Sequence, residues 1–130
     1  MPGGHHGQTR AVSVLSRLPT PILVAVGAVG GTAIRWTIET ATDASAATLV
    51  LNVLGSLLLG WLAAVAHSTP GWFLAGVGFA GGFTTFSTFA VDVARRLDGG
   101  DSAGGVGLLV LTVSLTVVGA AVGFKVGEQA

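Results

Sequence analysis

The sequence predicts an all-α membrane protein with four transmembrane helices, and three observations carry that reading. Of its 130 residues 51% are apolar and only 9% are charged, with a mean hydropathy of +0.79, a composition that suits a chain whose solvent is mostly lipid. The apolar residues gather in four runs, roughly 21–39, 46–66, 72–94 and 105–124, each close to the ~20 residues that cross a hydrocarbon core. The connections between them (40–45, 67–71 and 95–104) are short and rich in turn-forming residues, Asp98-Gly99-Gly100-Asp101 above all. One domain is expected at this length: a polar arm over 1–19, a four-helix transmembrane domain over 20–125 and a tail over 126–130.

The arm carries Gly3-Gly4-His5-His6, Arg10 and Arg17 and reads as a surface segment; two adjacent histidines alone make a poor metal site. Arg10, Arg17, the apolar stretch from Ile22 and Ala44-Ser45-Ala46 together imitate a cleavable signal peptide. Arg35 and Glu39, between the apolar run and the supposed cleavage site, argue against it. Pro19 and Pro21 open the first helix. Near its end Arg35 stands beside Trp36, on a face shared with Gly27 and Gly31. It reads either as a helix-end arginine snorkelling to the interface or as a positive charge that raises the local anion concentration.

On the second helix Thr48, Asn52, Ser56 and Gly60 recur every four residues and share one face. An intramembrane Asn needs a partner. Its amide donors suit either an interhelical hydrogen bond or an anion.

The third run holds the most informative stretch, Gly78 to Phe89, Gly-Phe-Ala-Gly-Gly-Phe-Thr-Thr-Phe-Ser-Thr-Phe. Gly81-Gly82 predicts a broken helix, which at membrane depth is tolerated only within protein or along a water-filled path. Thr84, Thr85, Ser87 and Thr88 then supply donors and acceptors. Such a break is either a simple kink or an ion site, where unwound carbonyls hold a cation and the next half-helix is electropositive. Phe86 and Phe89 are three apart on one face. They suit core packing, or contact between an anion and the positive ring edges. Phe79 and Phe83 read as packing. On the fourth helix Thr112 and Thr116 share a face while Ser114 points elsewhere; hydroxyls at that spacing often bond back to their own helix.

The stretch resembles the signature of the Fluc (CrcB) fluoride channels, a Gly-Gly break followed by Thr-Thr-Phe-Ser-Thr-Phe, and matches it from Gly81 to Phe89 apart from the variable Phe83. Asn52-Val53-Leu54-Gly55 likewise resembles the family's Asn-x-x-Gly. The resemblance extends from about Pro21 to Phe124. It implies passive, selective fluoride conduction out of the cell, across a prokaryotic inner membrane, by an antiparallel dual-topology dimer. Phe86 and Phe89 would line the pores and Asn52 would face the pathway with Thr48 beside it. Ser87, Thr88, Thr112 and Thr116 would supply further polar contacts, and Arg35 would stand near the vestibule. Main-chain carbonyls of Gly81 and Thr84 from both subunits would hold a central structural sodium ion. The family's polar track on the fourth helix begins with a Tyr; this chain has no tyrosine, and Leu108 stands in that place, so the track is shortened.

Positive charges divide three to three between the two sides, Arg10, Arg17 and Lys125 against Arg35, Arg95 and Arg96. By the positive-inside rule that gives no preferred orientation. A balanced chain suits an antiparallel homodimer, or a partnership with a paralogous chain. A proton-coupled multidrug exporter, also built of four helices, needs an intramembrane carboxylate, whereas Glu39 and Asp92 fall toward helix ends. A structural subunit of a larger membrane complex would not need the hydroxyl and phenylalanine run. The absence of cysteine excludes disulfides and thiolate metal sites. No His, Cys or paired carboxylate lies at membrane depth to support an enzyme.

Overall fold

The computed structural model describes residues 14–130; His5, His6 and Arg10 of the arm lie outside the described residues. Helix α1 (Thr20–Ala41) starts behind Pro19, with a second proline in its first turn where no N–H is needed. Helix α2 (Ala44–Ala66) is N-capped by Asp43, whose Oδ1 accepts from the Ser45 and Ala46 amides at 3.1 and 3.2 Å. The third span has two segments. Helix α3 is wound with the wider π pattern over Trp72–Ala80 and continues as one α-turn, Gly81–Phe83; helix α4 covers Phe86–Asp98. Helix α5 (Ser102–Gly127) follows a turn in which Gly100 takes φ +83°, and Asp101 caps it through the Gly104 amide at 2.9 Å. The expected turn at 98–101 is therefore present.

Among the described residues, four stretches are long and apolar enough to cross a membrane: Thr20–Ala41, Ala44–Ala66, Trp72–Asp98 and Ser102–Gly127. Few apolar side chains are sheltered within the subunit, chiefly Leu23, Leu51, Leu62, Phe89 and Val93. Its valine- and leucine-rich exterior is the surface of a multi-pass membrane protein.

Glycine sets the packing. Lipid tails are as apolar as leucine, so helices associate in membranes largely by close backbone approach. A Cβ on Gly27 or Gly31 of α1 would strike the α3 backbone at Leu74 and Phe79, and one on Gly78 or Gly82 would strike α1 at Val24 or Ala28. On the other side Gly60 of α2 meets the Ala120 carbonyl, while Gly123 of α5 meets the Leu57 carbonyl. Two glycine-lined pairs result, α1 with α3 and α2 with α5. The α2 face that carries Asn52 is left turned toward the junction of α3 and α4.

Candidate functional site

The interruption of the third span lies three residues beyond its expected place. Gly81 is helical, with φ −64° and ψ −41°, and Gly82 lies within the α-turn that ends at Phe83. The extended residues are Thr84 (φ −84°, ψ 156°) and Thr85 (φ −146°, ψ 121°). Gly82 serves contact: a side chain there would run into Ala28 of α1. The expectation of a break at Gly81-Gly82 gives way for that reason. Glycine pairs raise the cost of helix without forbidding it, whereas threonines can replace the lost ladder with their own hydroxyls.

Where two helical segments meet, the final carbonyls of one and the first amides of the next lose their partners and must find others. The Thr84 amide still reaches the Ala80 carbonyl at 3.1 Å. The Thr84 hydroxyl donates to the carbonyls of Ala80 and Gly81 at 3.1 and 3.3 Å. The Gly82 carbonyl accepts from α1, from Thr32 Oγ1 and Arg35 Nε, both at 3.3 Å. Across the gap, Thr85 Oγ1 caps α4 by accepting from the Thr88 amide at 3.3 Å. Among the described residues, no backbone N–H outside the helices donates to the Thr84 carbonyl.

Asn52 binds the extended linker itself. Its Oδ1 accepts from the Thr85 amide at 2.7 Å and its Nδ2 donates to the Thr85 carbonyl at 3.0 Å. One turn along, Gly55 leaves room for Thr84, whose Cγ2 a Cβ would strike. The Asn-x-x-Gly spacing thus does two jobs on one helical face: a clamp and a clearance. Of the two readings of Asn52, interhelical bond and anion donor, the first is realised with one N–H. The second N–H of the amide remains.

Beside the clamp lies an open groove of about 210 Å³, lined by Asn52, Ser56, Thr84, Thr85, Phe86, Phe89, Val113 and Thr116. Phe86 is 78% exposed and Phe89 only 5%. Their rings meet edge to face, with centroids 5.8 Å apart and planes at 64°, and both line the groove. The Thr116 hydroxyl bonds back to the Thr112 and Val113 carbonyls at 2.8 and 3.0 Å, which commits its only proton. Ser56 makes no such commitment among the described residues, so its hydroxyl can donate into the groove. Sequence reasoning saw Ser56 on the Asn52 face without advancing it as a candidate; the four-residue recurrence was the available signal.

The remaining candidates sit elsewhere. Thr48 is buried and donates to Glu39 Oε1 at 3.3 Å, outside the groove. Thr112 is buried, and its hydroxyl has no partner among the described residues. Ser87 and Thr88 line a second, shallow groove of about 310 Å³ with Val91, Asp92 and Arg95, and Ser45 Oγ donates to Asp92 there at 3.3 Å. Arg35 does not snorkel outward. It turns inward to Gly82 and pairs with Glu39 at 2.8 Å, with the two side chains 19% and 13% exposed. Phe79 and Phe83 stack on each other, 5.8 Å between centroids, in the packing role expected of them.

Fold and site together define a compact four-span membrane protein with a polar, partly aromatic groove beside an interruption in its third span. Residues 22–124 match the family model described as CrcB-like protein, Camphor Resistance (CrcB), and the chain belongs to that family. It is 38% identical over 122 residues to "Fluoride-specific ion channel FluC 2" of Synechococcus sp. (strain CC9902), covering 94% of this chain and 90% of that one. It is 39% identical over 114 residues to the protein of the same name from Parasynechococcus marenigrum (strain WH8102), covering 88% and 85%. A shorter match, 41% over 83 residues, joins it to "Fluoride-specific ion channel FluC 1" of Halobacterium salinarum, covering 62% and 70%.

Proposed function

We propose that this protein is a fluoride-selective channel that lets fluoride leave the cell passively, across the inner membrane of a prokaryote. The observation that carries the reading is the groove at the third-span interruption, in a chain whose relatives are named as fluoride channels over nearly their whole length. Fluoride is small and strongly hydrated, so a path must replace its water with several modest contacts that still permit release. The free amide proton of Asn52, the Ser56 hydroxyl and the edges of Phe86 and Phe89 offer contacts of that strength. Ser87, Thr88, Thr48, Thr112 and Thr116 are secondary members of the pathway, since their hydroxyls are engaged, buried or set apart from this groove. The exporter reading loses its support because Glu39 is tied to Arg35 and Asp92 is bonded by Ser45. Neither is a free intramembrane acid.

The working unit in this reading is an antiparallel dual-topology dimer, either of two copies or with a paralogous chain. It is supported by the three-to-three division of positive charges and by the apolar exterior of the subunit. A structural sodium ion at its centre would be held by the carbonyls of Gly81 and Thr84; the first accepts only the Thr84 hydroxyl among the side chains of the described residues, and a side chain added at Gly81 would meet open space. An all-carbonyl donor set without a carboxylate suits a monovalent ion better than a divalent one.

Purified protein in liposomes tests the function. Fluoride should leave down its own gradient, with chloride excluded and no proton or sodium gradient applied. Equal passage of chloride, or an obligatory coupled proton, would end the channel reading.

A further inference from the structure

We infer that Arg35, oriented by Glu39, is a positioning residue for the interruption in the third span: it closes the Gly82 carbonyl from the neighbouring helix. In a continuous helix that carbonyl would accept the amide of Phe86, four residues on. Phe86 instead opens α4 after two extended residues, so the Gly82 carbonyl is orphaned. Arg35 Nε donates to it at 3.3 Å, and Thr32, one turn earlier on α1, adds its hydroxyl at 3.3 Å. A cation at the C-terminal end of a helical segment also complements its dipole.

The guanidinium is fixed at its other end. Its Nη1 donates to Glu39 Oε2 at 2.8 Å, and Oε1 of the same carboxylate accepts from Thr48 of α2 at 3.3 Å. The chain Thr48–Glu39–Arg35–Gly82 therefore links α2, α1 and the end of the α3 turn through one rigid fork. Lysine cannot reproduce this: its single ammonium has no planar pair of donors aimed in two fixed directions. Because Glu39 lies directly against it, Arg35 presents a dipole rather than a free positive charge to a distant anion. That arrangement favours positioning over anion concentration.

The inference uses the fluoride reading for one of its two measurements, and the other is independent of it. In wild type, Arg35→Lys, Arg35→Gln and Glu39→Gln, we would follow amide exchange by mass spectrometry and fluoride efflux from liposomes. Exchange over residues 80–89 should accelerate about tenfold in each variant, the scale of one lost charge-assisted bond, with α5 unchanged. Efflux should fall in all three, Arg35→Lys included, and equally at low and high salt. Unchanged exchange over 80–89, acceleration spread over the whole chain, or full efflux by Arg35→Lys would each overturn the positioning role. Efflux that rose in Glu39→Gln and collapsed with salt would overturn it in favour of anion concentration. Wild-type protein that passed no fluoride would remove the channel reading, and the exchange data would then decide the positioning role alone.

Discussion

Asn52 holds Thr85 by both polar atoms of its backbone, taking the amide at 2.7 Å and the carbonyl at 3.0 Å. The side-chain amide acts as a short strand would, supplying one acceptor and one donor to an extended residue that has no strand beside it. Both residues are buried, at 7% and 9% exposure, so neither bond has water as a ready substitute. An extended residue within a membrane span is affordable only on those terms.

Asn52→Asp should keep the acceptor and lose the donor, leaving the Thr85 carbonyl unpaired. Asn52→Ala loses both. We expect the alanine variant to be destabilised by about 2–4 kcal/mol, the cost of two buried groups left unsatisfied, and the aspartate variant to fall between it and wild type. Fluoride efflux should drop in both. Unfolding midpoints in detergent and efflux per folded protein, measured on the same preparations, check this. An Asn52→Ala protein as stable as wild type would mean that the clamp does not hold the linker.

The spans were legible because lipid imposes a single requirement on all of them: about twenty apolar residues between polar ends. The site was legible in composition and less so in geometry. Gly81-Gly82 looked like the break because glycine weakens helices, yet Gly82 serves contact with Ala28, and the threonines carry the interruption. That distinction depends on what α1 places beside each glycine, which no local pattern encodes. The partner of Asn52 lies 33 residues away, so the sequence declared a need for hydrogen bonds without saying where they go. Arg35 was ambiguous for the same reason: its inward turn is decided by an orphaned carbonyl 47 residues on.

Phe86 and Phe89 differ in burial and should separate packing from conduction. Phe86→Ile changes an exposed ring and should cost less than about 1 kcal/mol of stability, in keeping with exposed substitutions. Phe89→Ile alters a buried ring and should cost about 1–2 kcal/mol. If ring edges serve the anion, efflux per folded protein falls in both. A Phe86→Ile protein with normal efflux would remove that ring from the pathway.

Ser56 and Thr116 line the same groove with hydroxyls in different states. Thr116 has spent its proton on its own helix, whereas Ser56 can still donate. Ser56→Ala should therefore reduce fluoride efflux several-fold with a stability change within about 0.5 kcal/mol. Thr116→Val, which keeps the shape, should alter efflux less. Liposome efflux and thermal melts of the two variants decide it, and the reverse order of effects would show that the engaged hydroxyl is the one the ion meets.

Gly81 and Gly82 are adjacent, yet they face different neighbours, and alanine at each position asks a different question. At Gly82 the added carbon would lie 2.5 Å from the Ala28 carbonyl and 2.9 Å from its Cα, so α1 must move away. Overpacking of that kind costs about 1–3 kcal/mol, and Gly82→Ala should lower the unfolding midpoint of the subunit whatever its assembly. At Gly81 nothing lies within 4 Å and the backbone is already helical, so the subunit should tolerate alanine or gain slightly from it. If that open face meets a second copy around a sodium ion, Gly81→Ala should instead weaken the dimer and reduce the stabilisation gained when sodium replaces potassium. Size-exclusion chromatography with light scattering, and melts in the two salts, separate these effects. A Gly81→Ala protein with wild-type dimer content and wild-type response to sodium would place the ion and the partner away from this face.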